Sequence, residues 1–153
     1  MEKFKRNLVW AGSLSIAAAL FQAAIGFSPS WSLYFGAPEA LIKNTSSLII
    51  VSFSIAAILL LFGLYALSGA GYIRPLPWLK QMLLLISGIY LLRGLLVVPE
   101  LIVVLGIYEI TIPVEPRFVL FSIGSLLIGL IYLNATLSGW NNLSPQEQLH
   151  NRV

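Results

Sequence analysis

A single arginine, Arg93, lies within an apolar stretch of the chain that runs from about residue 79 to residue 102. An ionised guanidinium in lipid costs between about 2.5 and more than about 10 kcal/mol, depending on how far water and headgroups reach it. Such a group is therefore expected to be paired, hydrated or used for binding. Glu100, seven residues further along the chain, is the nearest acidic residue and the first candidate partner.

Helical geometry places Glu100 close to Arg93. Seven residues correspond to about 700° of rotation, so both side chains lie on nearly the same helix face, with Cα atoms about 10 Å apart. Pro99 cannot donate a backbone hydrogen bond to Leu95, so a kink or break is predicted just beyond Arg93. Two interpretations of the pair stay open. It is a structural ion pair that fixes helix packing, or it anchors an anion, a lipid headgroup or a substrate.

Further polar side chains are predicted to reach a similar depth. They are Gln22 in the first apolar segment, Ser52 and Ser54 in the second, Ser122 and Ser125 in the fourth, and Tyr90 one turn before Arg93. A serine in a membrane helix often bonds its own backbone, so a structural role is the alternative for each serine. The residues predicted to line an outward-facing ligand site are Arg93, Glu100, Gln22, Tyr90, Ser52, Ser122 and Trp31.

Four apolar segments of about twenty residues must position these side chains. Hydrophobic residues make up 58% of the 153 residues and charged residues only 10%, whereas about a quarter of the residues in a soluble domain are charged. Twenty helical residues cross about 30 Å of hydrocarbon. The sequence therefore predicts an all-α integral membrane four-helix bundle, built as one domain from residues 1–153. Its spans are predicted at about 8–27, 48–67, 79–102 and 118–138, with a polar tail at 141–153.

Basic residues are distributed unevenly between the two sides of the predicted bundle. One side carries Lys3, Lys5, Arg6, Arg74 and Lys80, and the other carries Lys43 and Arg117. The positive-inside rule then predicts an up-down-up-down topology with both termini in the cytoplasm. The first helix is expected to stay uncleaved, because its apolar run continues to Phe27, beyond the signal-like segment at 17–19.

The first outer connection, residues 26–43, is rich in aromatic side chains. Trp31, Tyr34 and Phe35 suit the headgroup layer of a membrane. We predict an interfacial flap over the outer end of the bundle. The flap is either an aromatic anchor or a lid over a pocket.

Small residues are predicted to end one helix and to pack another. Gly69 and Gly71 are expected to terminate the second span in left-handed geometry. A stripe of small residues along the first span would let a neighbouring helix approach closely, either within the bundle or at a dimer interface. The stripe consists of Ala11, Ser15, Ala19 and Ala23.

Few groups in the chain are suited to catalysis or metal binding. There is no cysteine and no aspartate, and the one histidine, His150, lies in the polar tail. Only Glu39, Glu100 and Tyr90 are placed to act as an acid or a base. The basic residues lie at the ends of spans, where membrane orientation explains them. We therefore expect no catalytic residue, no metal site, no cofactor and no nucleic-acid partner.

The segment Gly26-Phe27-Ser28-Pro29 closes the first span, and the four spans fill most of the chain. In this segment and in its architecture the chain resembles small four-helix membrane proteins of bacteria, among them the DoxX-like group. The resemblance implies a location in the bacterial inner membrane. Some DoxX-like proteins are associated with quinone-linked respiratory enzymes. No site residue is implied, because Arg93 maps onto no motif of that group.

Three functions are consistent with these features. The first is binding, or transport, of a lipid or a small amphipathic or anionic molecule, with Arg93 against an anionic group. The second is a non-catalytic assembly or scaffold subunit, recognised by a membrane-complex partner or by a second copy through the small-residue stripe. The third, ranked last, is a membrane-embedded enzyme acting on an isoprenoid or quinone substrate.

Overall fold

The computed structural model describes residues 2–107 and 115–143, which are helical with no strand. Four helical segments are long and apolar enough to cross a membrane, namely Lys3–Ile25, Thr45–Gly69, Leu79–Val104 and Pro116–Ser138. This result confirms the predicted all-α class and the four membrane-crossing segments. The helices of the described chain are α1 (Lys3–Ile25), α2 (Pro29–Tyr34), α3 (Glu39–Ile42), α4 (Thr45–Gly69), α5 (Leu79–Leu95), α6 (Val97–Val104) and α7 (Pro116–Ser138).

The third membrane-crossing segment is interrupted between α5 and α6. Helix α5 ends at Leu95, and α6 begins at Val97. Pro99 is the third residue of α6, where its missing N–H removes no bond within the new helix. The interruption lies just beyond Arg93, where Pro99 predicts it.

Glycine and serine together terminate α4 and direct the chain into α5. Gly71 has a φ of +87°, and its N–H donates to the carbonyl of Ser68 at 3.0 Å, while the N–H of Tyr72 donates to Leu67 at 3.0 Å. These two bonds form a Schellman motif, as predicted for Gly71. The Ser68 hydroxyl donates to the carbonyl of Arg74 at 3.0 Å and so fixes the turn.

Gly69 has a different role from the predicted one. It is the last residue of α4 and is buried in the bundle. A Cβ at this position would lie 2.9 Å from Cδ1 of Leu8 and 3.1 Å from Cδ1 of Leu83. Gly69 therefore allows α1 and α5 to pack closely against the end of α4, and Gly71 alone supplies the left-handed residue.

Close backbone contacts pair the long helices in two sets. In the first set, a Cβ on Gly12 of α1 would lie 3.1 Å from the carbonyl oxygen of Gly63 of α4. In the second set, a Cβ on Gly94 of α5 would lie 2.5 Å from Cα of Leu126 of α7. Small residues at such crossings let two helices gain dispersion contacts along their whole length.

The small-residue stripe of α1 is used inside the bundle. Ala11 and Ser15 are fully buried, and Ala19 is 4% exposed. Helix α1 packs mainly against α4 and α7, and the Ser15 hydroxyl also reaches Tyr90 of α5. Three members of the stripe are therefore occupied by contacts within one chain and are not open to a partner helix.

Candidate functional site

Arg93 points across the helix interface to α7. Its Nη1 donates to the hydroxyl of Ser122 at 2.6 Å and lies 3.5 Å from Oε1 of Glu100 on α6. The break after α5 and the close approach of Gly94 to α7 bring these three side chains together. A charged donor on a hydroxyl at this distance forms a short, strong hydrogen bond. The tighter partner of Arg93 is therefore Ser122, and Glu100 contributes a longer ion pair.

Both charged groups keep unused hydrogen-bonding capacity. A guanidinium carries five N–H donors, and the bond to Ser122 is the hydrogen bond that Arg93 makes within the described residues. The Arg93 side chain is 41% exposed, whereas that of Glu100 is 14% exposed. The second carboxylate oxygen of Glu100, Oε2, is buried without a hydrogen-bond partner in the described part of the chain. The cluster is thus an ion pair with incomplete hydrogen bonding on both members, set in an apolar segment.

The surface beside Arg93 is apolar. Leu92 on α5, Leu96 between α5 and α6, and Leu120 on α7 are exposed within a few residues of Arg93 or Ser122 along the chain. Ser122 is four residues beyond Phe118, the first apolar residue of α7, and so about 6 Å further along the helix axis. Through its bond to Ser122, the guanidinium therefore lies close to the start of α7.

Gln22 and Ser52 lie in a different place, on the wall of a cavity of about 250 Å³. Helices α1 and α4 form one side of this cavity, and α2, α3 and their connection form the other. Arg93, Glu100 and Ser122 are not part of its wall. The structure therefore divides the predicted ligand residues between two sites. The cavity is lined by Gln22, Ile25, Ser32, Phe35, Gly36, Ala37, Pro38, Leu41, Leu48, Val51, Ser52 and Ile55.

The predicted flap consists of α2 and α3, which cover this cavity. Ser32 of α2 donates from its hydroxyl to the carbonyl of Ile25 at 2.8 Å, which ties α2 to the end of α1. The Phe35 ring lies edge-on against Phe21 and Phe121, with centroid distances of 5.0 and 5.7 Å. Trp31 is 59% exposed on the outer surface of α2. Trp31 therefore belongs to the exterior of the cover and not to the cavity wall.

Arg117 fastens the cover to α7. Its guanidinium lies 3.9 Å from the centre of the Tyr34 ring and forms an ion pair with Glu115 at 2.6 Å. A guanidinium stacked on an aromatic face is attracted by the negative face of the ring. From the sequence, Arg117 counts only as a charge that sets orientation. Its contact with Tyr34 could not be predicted, because the two residues are far apart along the chain.

Tyr90 takes part in a buried hydrogen-bonded chain that joins all four long segments. Its hydroxyl lies 2.9 Å from that of Ser15, which lies 3.0 Å from the hydroxyl of Tyr132. The Tyr132 hydroxyl donates to the carbonyl of Phe62 at 3.0 Å. Because each hydroxyl has one proton, Ser15 donates to Tyr132 and Tyr90 donates to Ser15. Tyr90 therefore has its hydrogen engaged inside the bundle.

Sequence reasoning missed two members of this chain, Ser15 as a polar group and Tyr132 altogether. Both are fully buried. The signal available was a hydroxyl-bearing residue well inside each of three apolar segments, with Ser15, Tyr90 and Tyr132 among several such residues. Sequence spacing could not pair them, because their register depends on how the helices are placed side by side.

Metal and acid–base groups are sparse in the described chain. Residues 2–107 and 115–143 contain no group of three or more histidine, cysteine, aspartate or glutamate side chains that could hold a metal ion. His150 and most of the third connection lie outside the described residues. Glu39 begins the short helix α3, and within the described residues no hydrogen bond joins it to Tyr90 or Glu100. The three candidate acid–base residues are therefore not brought together.

By length and composition, the chain is a multi-pass membrane protein with four membrane-crossing segments. Comparison with known proteins gives no relative: no protein-family model, no curated protein and no solved structure matches the chain. The resemblance to DoxX-like proteins stays a prediction. Evidence for a function comes from the geometry of the two sites.

Proposed function

We propose that this protein binds an amphipathic molecule with an acidic headgroup, a carboxylate or a phosphate, at Arg93. The observation that carries the proposal is the state of the Arg93 guanidinium, which is 41% exposed and has Ser122 as its hydrogen-bond partner in the described chain. A cation left in this state on an apolar surface is costly. An anionic headgroup removes that cost, because it accepts several of the remaining N–H donors at once.

The surroundings of Arg93 support a lipid-like ligand. Exposed leucines on α5 and α7 offer an apolar surface for an acyl chain. The guanidinium bonds Ser122, which is about 6 Å along the axis from the first apolar residue of α7, and a long arginine side chain at this depth reaches the headgroup layer. Glu100 competes with the ligand for the same cation at 3.5 Å, so binding is expected to be reversible.

We further propose that the bundle is up-down-up-down, with both termini in the cytoplasm of a bacterial cell and the spans in its inner membrane. Contacts between α1 and α4 support opposite directions: Leu8 approaches Gly69, Gly12 approaches Gly63, and Gly26 approaches Ser52. The uneven distribution of basic residues supports the cytoplasmic side. In this orientation Arg93 binds a lipid headgroup of the outer leaflet.

Native mass spectrometry on the purified full chain tests the role of Arg93. The probes are phosphatidylglycerol and a diacylglycerol with the same acyl chains but no phosphate, with palmitate as a single-chain acid. Arg93→Gln is expected to weaken phosphatidylglycerol binding by about ten- to a hundredfold, since hydrogen bonds to charged groups contribute about 1.5–3 kcal/mol. Diacylglycerol binding should not change. If Arg93→Gln weakens palmitate binding to the same extent, the site recognises an acidic group in general. If palmitate does not bind to the wild-type protein, the site is selective for phosphate.

Arg74→Gln is the matched control, because Arg74 is an exposed arginine on the second connection. The same substitution there should change phosphatidylglycerol binding by less than about twofold. Equal binding by wild type and Arg93→Gln would mean that Arg93 is a structural strut, and the proposed function would be wrong.

Glu100→Gln is expected to change lipid affinity in the opposite direction from Arg93→Gln. Removing the competing carboxylate leaves the guanidinium freer for an external anion, so phosphatidylglycerol should bind about two- to fivefold more tightly, as expected for a long ion pair whose cation is partly exposed. A structural ion pair predicts instead that Arg93→Gln and Glu100→Gln both lower thermal stability with no change in lipid affinity. The two variants therefore separate a binding site from a strut.

A further inference from the structure

We propose that the cavity beneath α2 and α3 is a second, independent binding site for a small neutral molecule with an apolar body and one hydroxyl or carbonyl group. The cavity measures about 250 Å³, slightly below the range of about 300–1,000 Å³ that is typical of small-molecule pockets. Its occupant is therefore small. Its chemistry follows from the side chains of the wall.

Ser52 is the side chain that most strongly indicates a polar group on the ligand. It is 4% exposed, and its hydroxyl makes no hydrogen bond within the described residues, although a serine in a helix commonly bonds the carbonyl four residues earlier. Ser54, two residues along the same helix, does so and donates to Ile50 at 2.8 Å. Ser52 is thus a largely buried side chain on the wall of a cavity, and its hydroxyl has no partner in the described chain. A hydroxyl held away from bulk water is stabilised by a hydrogen-bond partner.

Gln22 of the neighbouring helix α1 supplies a second polar group without a hydrogen bond among the described residues. Its side-chain amide makes no hydrogen bond in the described chain, and it lines the same cavity as Ser52. The third polar side chain of the wall, Ser32, has already donated to the carbonyl of Ile25. The cavity therefore offers an amide, which both donates and accepts, and one hydroxyl.

The cavity wall carries no charged side chain, which favours a neutral ligand. None of the side chains lining the cavity is ionisable, so a charged molecule would lose its hydration without gaining a counter-ion. The remaining wall is aliphatic apart from the ring of Phe35. This composition fits a neutral alcohol or phenol and differs from the acidic ligand proposed for Arg93.

The test uses the full chain in lipid nanodiscs with two probes of the same shape, 4-propylphenol and 4-propyltoluene. Only the first carries a hydroxyl. We expect 4-propylphenol to bind saturably and to shift the side-chain amide NMR resonance of Gln22, which is assigned from its loss in Gln22→Leu. The toluene probe should bind at least about three- to tenfold more weakly, corresponding to the loss of one or two neutral hydrogen bonds.

Ser52→Ala and Gln22→Leu should each weaken 4-propylphenol binding by about three- to tenfold. Ser54→Ala, the same change on the same helix at a hydroxyl that bonds its own backbone, should leave the affinity unchanged. Arg93→Gln should also leave it unchanged, which keeps this site distinguishable from the proposed acidic site. If Ser52→Ala, Gln22→Leu and Ser54→Ala all bind 4-propylphenol with the same affinity, the proposal is overturned. Equal binding of both probes, or no saturable binding, would also overturn it and leave a cavity filled by water.

Discussion

Two kinds of polar residue lie within the apolar segments, and they differ in how far their hydrogen-bonding needs are met. The hydroxyls of Ser15, Tyr90 and Tyr132 are linked in one chain that ends on a backbone carbonyl. Arg93 and Glu100, in contrast, keep free donors and a buried oxygen without a partner in the described chain. The satisfied chain is suited to holding helices in register, and the unsatisfied pair is suited to meeting a ligand.

Substitution of the two tyrosines should separate their contributions to stability. Tyr132→Phe removes a donor to Phe62 and an acceptor for Ser15, so we expect a loss of about 1–2 kcal/mol in free energy of unfolding. Tyr90→Phe removes only one donated bond and should cost about 0.6 kcal/mol. Thermal unfolding in detergent measures both values. Tyr72→Phe, at an exposed tyrosine, is the control, and an equal loss in Tyr90→Phe and Tyr132→Phe would contradict the assignment of two hydrogen bonds to Tyr132 and one to Tyr90.

Among the elements, the α5–α7 contact is the one that brings Arg93 and Ser122 together at the proposed acidic-ligand site. Gly94 follows Arg93 directly, and a Cβ there would lie 2.5 Å from Cα and 2.6 Å from the backbone nitrogen of Leu126. Backbone atoms cannot move aside as a flexible side chain can, so even one methyl group must push the helices apart. The distance between Arg93 and Ser122 depends on this approach.

Glycine substitutions on α5 test the contact. Gly94→Ala should destabilise the protein by about 1–3 kcal/mol because of overpacking. Gly88→Ala, on the same helix with no atom within 4 Å of the added Cβ, should be neutral or stabilising by up to about 1 kcal/mol, since alanine favours the helix. Unfolding by heat or by SDS measures both variants. Similar stability of the two variants would show that α5 and α7 are not in backbone contact at Gly94.

At the scale of the whole molecule, the proposed orientation decides which leaflet Arg93 serves. The chain has no cysteine, so single cysteines report on it without background. Ser30→Cys places a thiol on α2, and Tyr72→Cys places one on the second connection, both at exposed positions. A membrane-impermeant maleimide should label Ser30→Cys in intact cells and Tyr72→Cys only after permeabilisation. The reverse pattern would place Arg93 in the cytoplasmic leaflet.

Several features of this protein follow from its sequence alone. Long apolar segments predict membrane-crossing helices, because a backbone in lipid must satisfy its own hydrogen bonds. Pro99 predicts the break between α5 and α6, and Gly71 predicts the end of α4, because each residue acts on its own backbone. Glu100 as a partner for Arg93 follows from helical periodicity. All of these arguments concern residues within a few positions of one another.

Only the tertiary structure decided which distant side chains meet. In the folded protein Ser122 is the closest partner of Arg93, and Gln22 and Ser52 line a separate cavity. Tyr90 is enclosed in a hydrogen-bonded chain with Ser15 and Tyr132. Trp31 lies outside both sites. Depth in a membrane is readable from sequence, but rotation of each helix about its axis is not. That rotation is set by which small residues, such as Gly12 and Gly94, allow two backbones to touch. One predicted site therefore became two.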